Sequence, residues 1–176
     1  APYQRPDATL EITGMPIPME TTHIEVGDTI YDGAAGSGGF LVEAFDFLTA
    51  KGKKEKLSAR EWKTIQNDTF FGQEKTSLGY VMGMMNMILH GIESPNVFKG
   101  NTLTQNIRDY QEKDRHDVIL ANPPFGGKEK KQIQQNFPVE SNATEILFLQ
   151  HFMKMLKLEG RAAIIVPEGV LFQTNN

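Results

Sequence analysis

Thr29-Ile30-Tyr31-Asp32-Gly33-Ala34-Ala35-Gly36-Ser37-Gly38-Gly39-Phe40-Leu41-Val42-Glu43-Ala44-Phe45-Asp46-Phe47-Leu48 is the stretch that decides the fold of this chain. Thr29 to Tyr31 reads as a short strand, with the acidic Asp32 at its end. A glycine-rich turn follows, then a helix, because Leu41, Ala44, Phe45 and Leu48 repeat at the i, i+3, i+4, i+7 spacing of one apolar face. Gly33, Gly36, Gly38 and Gly39 crowd the turn. Lacking Cβ atoms, they admit positive φ and let a ligand approach the backbone amides. A helix N-terminus behind such a turn offers unpaired N–H groups to an anionic or polar ligand. Asp32 adds a negative charge beside that cradle.

Three ligands compete for the turn. A phosphate loop requires Gly-x-x-x-x-Gly-Lys-Ser/Thr, but Gly33 and Gly38 are followed by Gly39-Phe40, with no lysine for the phosphates. A dinucleotide fingerprint requires Gly-x-Gly-x-x-Gly, which no register of these four glycines supplies. S-adenosylmethionine is the third, and its sulfonium cation suits an acidic strand end better than a pyrophosphate does. A tight turn that only packs helix on sheet is the alternative for any single glycine here.

The surrounding composition narrows the class. A chain of 176 residues is long enough for one α/β domain with its own core. It contains no cysteine, which excludes disulfides, cysteine-based zinc sites and a cysteine nucleophile, and suits a cytoplasmic setting. No signal peptide is visible and no apolar run reaches the length of a membrane span. The net charge of −4 lacks the strongly basic balance of a protein that grips duplex DNA alone. Any nucleic-acid role therefore leans on partners or on further segments.

Residues 1–22 hold Pro2, Pro6, Pro16 and Pro18 and show no helical or strand period. They are expected to form an irregular arm or the remnant of a discontinuous segment. Residues 23–176 are expected to form the ligand-binding core, incomplete at its C-terminal end. Glu25 to Asp28 reads as a turn entering the first strand. Lys51 to Lys56 reads as a solvated connection, and Asp68 to Gln73 as the second strand, with Glu74 just beyond it. A carboxylate there can accept two hydrogen bonds from a ribose diol, or serve as a first-turn glutamate of the next helix. Leu78, Val81, Met82, Met85 and Leu89 make one apolar stripe on that helix, expected to fill the core, and Gly91 stops it. Asn96 to Lys99 is a third strand, followed by Asn101, which can meet an adenine edge or shape a turn. Arg108 to Arg115 is polar connection, and His116 to Ala121 is a strand suited to burial on both faces. Strands alternating with helices predict a doubly wound, mostly parallel sheet.

Asn122-Pro123-Pro124-Phe125 ends that strand and is the most specific signal in the chain. Pro123 biases Asn122 toward an extended conformation. Pro123 and Pro124 fix their own φ and donate no N–H bonds. The outcome is a rigid pair of acceptors, the Asn122 amide oxygen and the Pro123 carbonyl, beside the plate of Phe125. Such a set suits an exocyclic amine whose ring stacks on the aromatic. That amine is a poor nucleophile because its lone pair is delocalised. Two acceptors on its hydrogens favour pyramidalisation and aim the lone pair at a methyl donor, with proximity supplying much of the rate. A proline-rich turn after a buried strand is the plainer alternative.

Asp32 to Gly39 followed by Asn122 to Phe125 resembles the amino-group DNA methyltransferases. Phe71-Gly72-Gln73-Glu74, Met85-Asn86-Met87-Ile88-Leu89-His90-Gly91 and the run from Arg161 to Phe172 narrow the resemblance. Together they look like the modification subunit of a type I restriction–modification system, an N6-adenine methyltransferase with a Rossmann-like fold. The resemblance covers roughly Val26 to Phe172.

It implies that Asp32, Gly33, Ala34, Gly36, Ser37, Gly38 and Gly39 bind the S-adenosylmethionine cofactor, with Asp32, Gly36 and Gly38 against its methionine part. Glu74 would take the ribose hydroxyls and Asn101 would lie by the cofactor adenine. Asn122 and Pro123 would hold the target amine, with Pro124 beside them and Phe125 stacked on a flipped adenine. Two residues depart from the family pattern. Gly33 stands where many relatives have proline, and Asn101 where an aspartate is common. The aromatic-proline segment that relatives place before the glycine motif is not recognisable in residues 1–22. The implied partners are duplex DNA, a specificity subunit and a restriction subunit, with two modification subunits per specificity subunit. The other readings are a methyltransferase acting on protein glutamine or RNA, and a non-catalytic assembly subunit.

Beyond the tetrapeptide, Gly126 to Asn142 is a polar linker with Lys128, Lys130 and Lys131, a solvated loop or a flap that touches DNA. Asn142 and Glu145 resemble a helix cap before an apolar helix over 146–158. Gly160 ends that helix, and Arg161 to Val166 reads as a further strand.

Overall fold

The computed structural model describes residues 9–12 and 23–170. Its sheet has six strands, all paired in parallel: β1 (Thr9–Ile12), β2 (Ile30–Asp32), β3 (Phe70–Glu74), β4 (Asn96–Lys99), β5 (His116–Ala121) and β6 (Leu156–Ile164). The spatial order is β1-β6-β5-β2-β3-β4. From β2 the chain builds outward through β3 and β4, then returns to place β5 and β6 on the other side. The order reverses between β2 and β5, and the carboxyl ends of strands at such a switch point form a crevice for ligands.

Successive residues of the central strands are buried on alternate faces of the sheet, as a pleat with both faces covered demands. Ile30, Val118, Leu120 and Ala163 join one core with α1 (Gly39–Glu55), α2 (Ala59–Asn67) and α3 (Ser77–Leu89). Tyr31, Ile119, Ala121, Ala162 and Ile164 face the other, which α5 (Thr144–Met155) closes with Leu147, Phe148, Phe152 and Met155. The expected apolar face of α1 is buried at Leu41, Ala44, Phe45 and Leu48. Burial of each such side chain contributes about 1.5–3 kcal/mol.

Several expectations are corrected. Lys51 to Glu55 continue α1 rather than forming a connection, and the helix closes on Lys56, whose N–H reaches the Gly52 carbonyl and whose left-handed φ of 56° turns the Leu57 N–H back to the same carbonyl at 3.3 Å. α2 is an additional element, and Ser58 and Glu61 at its start form a capping box in both directions. Between α3 and β5, residues 102–114 hold three short 3₁₀ turns. A short helix, α4 (Lys131–Gln134), interrupts the polar linker, and Phe137 in it is buried. Asn142 does not cap α5; the capping position is Ala143, with no side-chain cap.

α5 stops at Met155 because Leu156 is pulled into the sheet beside His116 and into the second core. The register then shifts to Val118 opposite Arg161, so Gly160 lies in an irregular part of β6, not at a helix end. Within the stretch read as an arm, Thr9–Ile12 forms the edge strand beside β6. Four residues are too few to show a period, and the rest of 1–22 lies outside the described residues. So does the end of the Arg161–Phe172 run beyond Val170.

α3 departs most from expectation. Leu78, Val81, Met82, Met85 and Leu89 are between 51% and 80% exposed, so the stripe faces outward instead of filling the core. The inward face is Gly83 and Met87, with Tyr80 and Met84 partly buried beside them. Small residues let the helix lie close to the glycine turn, and that contact, rather than hydrophobicity, sets its rotation.

Candidate cofactor cradle and amine site

β2 delivers Asp32 to the switch point, and the turn after it is held residue by residue. The Ala34 N–H donates to Asp32 Oδ1 at 2.9 Å. Ala35 N–H reaches the Gln73 carbonyl at 3.1 Å, and Gly36 N–H reaches Glu74 Oε2 at 3.0 Å. Gly38 N–H donates to the Ala35 carbonyl at 2.7 Å, and the Gly38 carbonyl accepts the first bond of α1, from Val42. Gly36 and Gly38 have φ of 52° and 74°, the left-handed region where glycine alone is free of strain. A Cβ on Gly36 would find only the Ala34 carbonyl, at 3.9 Å, and one on Gly39 would meet nothing within 4 Å. The space above these residues is open.

That space is a cavity of about 420 Å³ lined by Asp32, Ala34, Ala35, Gly36, Ser37, Gly39, Phe40, Glu43 and Asn122. Of the predicted residues, Asp32, Ala34, Gly36, Ser37, Gly39 and Asn122 therefore come together, while Gly33 and Gly38 brace the turn from behind. Asn122 follows β5, the strand next to β2, so residues ninety positions apart in sequence share one wall. Pro123 is buried, Pro124 is exposed and Phe125 is half exposed beside it. A second hollow, of about 400 Å³ between the end of α1 and the start of α2, contains none of the predicted residues.

Two carboxylates dominate the electrostatics. Burial pushes Asp32 up to about 7, and the nearby Glu74 charge adds to this, while the Ala34 N–H opposes it. Burial also pulls on Glu74, but hydrogen bonds from the Thr76 hydroxyl and N–H, from Gly36 and from Lys75 outweigh it and hold this carboxyl below its ordinary value. Thr76 donates to Oε1 from both groups at 2.7 Å. Asn101 lies just past β4 and caps the 3₁₀ turn Thr102–Thr104, its Oδ1 accepting the Leu103 N–H at 3.1 Å. Gly100, beside it, donates to the Glu74 carbonyl at 2.9 Å. Asn101 thus shapes a turn next to Glu74 and does not line the cavity.

Residues without an expected role back the cradle. The buried Thr102 hydroxyl donates to the Gly33 carbonyl at 2.5 Å. Tyr31 reaches His151 Nε2 at 3.0 Å and stacks on His116 with ring centroids 4.8 Å apart. Burial lowers His151 to about 3 and His116 to about 4, so both rings are neutral behind the turn. Tyr31 and Phe152 fill the space a side chain at position 33 would need; a Cβ there would stand 2.9 Å from the Phe152 ring. This accounts for glycine where proline is common. Asn86 donates to the Ser37 carbonyl at 3.0 Å. No local pattern identifies Thr102 or His151, whose roles arise from packing; Asn86 lay in a recognisable run but without a role.

The cavity's charged groups are carboxylates, Asp32 and Glu43, and no lysine or arginine lines it. This donor set and the room above the glycines fit a cationic, amine-bearing ligand and disfavour a pyrophosphate. In the linker, Lys131 pairs with Glu140, and Glu129 with Lys75 at 3.3 Å, while Lys128 and Lys130 are exposed. Among the described residues no helix is long and apolar enough to cross a membrane.

Residues 15–176 match the family model described as N-6 DNA Methylase. The chain is 40% identical over 151 residues to the type I restriction enzyme EcoEI methylase subunit of Escherichia coli, covering 84% of this chain and 30% of that one. It superimposes on a chain from a solved type I R-M system, studied for complex assembly and conformational transition, with a TM-score of 0.82 and 46% identity. That match covers 89% of this chain and 31% of the other. The type I restriction enzyme EcoKI M protein matches with a TM-score of 0.75 and 27% identity over 85% of this chain and 32% of that one. The chain spans about a third of the length of these relatives.

Proposed function

The chain belongs to the N-6 DNA methylase family, and on that premise we propose that it is the catalytic core of an S-adenosylmethionine-dependent methyltransferase acting on adenine N6 in DNA. The observation that carries this reading is the shared cavity: the acidic strand end, the glycine turn and the Asn-Pro-Pro-Phe asparagine line one wall at the switch point.

S-adenosylmethionine supplies an activated methyl group when bound. Asp32, once ionised, attracts its cationic part, and Gly36, Ser37 and Gly39 leave room for its methionine portion. Glu74, at the end of β3 beside the glycine turn, would take the ribose hydroxyls, and Asn101, outside the cavity lining, would meet the cofactor adenine from the turn next to Glu74. Asn122 Oδ1 and the Pro123 carbonyl accept hydrogen bonds from the amine of a flipped adenine, drawing its lone pair out of conjugation and toward the methyl group. Phe125, half exposed, is free to stack on the base.

By its likeness to type I methylase subunits, the chain works within an assembly containing duplex DNA, a specificity subunit and a restriction subunit, with two modification subunits per specificity subunit. A net charge of −4 supports this dependence, because phosphate neutralisation by basic residues supplies much of ordinary DNA affinity. Lys128 and Lys130, exposed beside the tetrapeptide, add sequence-indifferent phosphate contacts.

The test is Asn122→Ala, assayed for cofactor binding by calorimetry and for methyl transfer to adenine-containing DNA together with the specificity subunit. Cofactor affinity is expected to persist while transfer falls by about 10²–10³, as when one donor is removed from a preorganised site. Equal loss of cofactor binding would put Asn122 in the wrong role.

A further inference from the structure

Met85-Asn86-Met87-Ile88-Leu89-His90-Gly91 is one of the runs on which the resemblance of the sequence rests, yet none of these residues lines the cavity or has a role in the proposed chemistry. Their place in the fold supplies one. The inward face of α3 is pressed against the glycine turn at three points. Asn86 Nδ2 donates to the Ser37 carbonyl at 3.0 Å. Gly83 lies so close to the turn that a Cβ there would stand 2.7 Å from the Gly36 carbonyl. Met87 is fully buried under Gly38, where a Cβ would meet its Cγ at 3.2 Å. His90, capping the end of α3, pairs with Asp46 of α1 at 3.2 Å, tying the two helices that flank the turn.

We infer that Asn86 is a positioning residue for the cofactor, clamping the Ser37–Gly38 peptide, with Gly83 as the clearance that lets α3 reach it. Gly36 and Gly38 both sit at positive φ on either side of Ser37. Glycines give a backbone little resistance to rotation, so a turn built from them is liable to let its middle peptide turn over. The Ser37–Gly38 peptide is instead gripped from both sides: its carbonyl by Asn86 and its N–H by the Ala35 carbonyl at 2.7 Å. Without the grip, the surface offered to the ligand becomes an average over peptide orientations, and binding must select one of them. α3 contributes this clamp through small and polar residues, which explains why its apolar stripe points outward.

This inference rests on the cofactor reading of the cradle. Its particular consequence concerns the amino-acid end of the ligand, since Ser37 belongs to the methionine side and Glu74 and Asn101 to the nucleoside side. The experiment uses the full chain and calorimetry with two probes: S-adenosylhomocysteine, and 5′-methylthioadenosine, which lacks the amino-acid tail. Asn86→Asp keeps the shape but replaces the donor with a carboxylate facing the Ser37 carbonyl. Its affinity for S-adenosylhomocysteine is expected to fall about tenfold, the size of one lost hydrogen bond, with that for methylthioadenosine changed less than about twofold. The thermal midpoint should stay close to that of the wild type.

Gly83→Ala is the second variant. Alanine favours a helix over glycine, which offsets part of the cost as its Cβ displaces the Gly36 carbonyl; it too should weaken S-adenosylhomocysteine selectively. If both variants bind both probes as the wild type does, or lose both probes alike together with thermal stability, the positioning role is wrong. If the wild type itself binds neither probe, the cofactor reading fails and the inference falls with it.

Discussion

Asp32→Asn offers the sharpest test of the cradle's electrostatics. Asp32 is only 2% exposed, and burial raises its carboxyl from an ordinary 3.8 to about 7. A group whose pKa is higher in the folded than in the unfolded state holds its proton more firmly when folded. The stability it contributes is therefore complete below about 3.8, declines as the pH rises toward 7, and levels off above. At about 1.36 kcal/mol for each pH unit, the full decline is on the order of several kcal/mol, with roughly a third of it lost by pH 5. Asparagine keeps an Oδ1 to accept the Ala34 N–H but never ionises. The ligand-free variant should accordingly be more stable than the wild type, by roughly one or two kcal/mol at pH 5 and by on the order of several kcal/mol at pH 8. S-adenosylmethionine should bind the variant more weakly, because its cationic part loses the one buried carboxylate of the cradle. Urea denaturation of the ligand-free protein at pH 5, 6, 7 and 8, with calorimetry of cofactor binding at pH 8, reads both effects. A stability difference that is independent of pH, or of opposite sign at pH 8, would refute the burial argument. Undiminished cofactor binding would remove Asp32 from the site.

Gly33→Ala should destabilise the fold by about 1–3 kcal/mol, since the new Cβ meets Phe152 at 2.9 Å and the Tyr31 hydroxyl at 3.0 Å; denaturation of this variant with and without Phe152→Leu checks that the smaller side chain recovers part of the loss. On α3, Val81→Thr and Met85→Gln replace side chains that are 51% and 58% exposed. Each should change stability by less than about 0.5 kcal/mol, and a loss several times larger in urea denaturation would mean that this face is covered.

The strand, acidic end, glycine turn and helix over 29–48 were legible because each rests on short-range chemistry: the spacing of apolar residues, the absence of Cβ atoms, the charge at a strand end. Asn122 to Phe125 could be read for the same reason, since proline restricts its own φ and its neighbour's wherever it stands. The capping box at Ser58 is equally local, resting on Ser58 and Glu61 three residues apart. Leu78 to Leu89 could not be read this way. The stripe has the period of a buried face, but a period says which residues share a side, not what that side meets. Gly83 and Asn86, packed on the turn, took the inward side instead. Leu156 likewise continues the helical pattern of α5 and is drawn into β6 by His116, forty residues earlier.

By itself, then, the sequence determined the element types around the site, the parallel α/β class and the kinds of group that the two motifs present, all of which depend on neighbours within one helical turn or one strand. Only the tertiary structure decided that Asp32 and Asn122 share a cavity, that Glu74 reaches across to the Gly36 amide, and that Asp32 holds its proton up to about pH 7. Each of these depends on which strands lie side by side and how much water they exclude, and burial and proximity across a sheet are properties of the folded chain that no local spacing encodes.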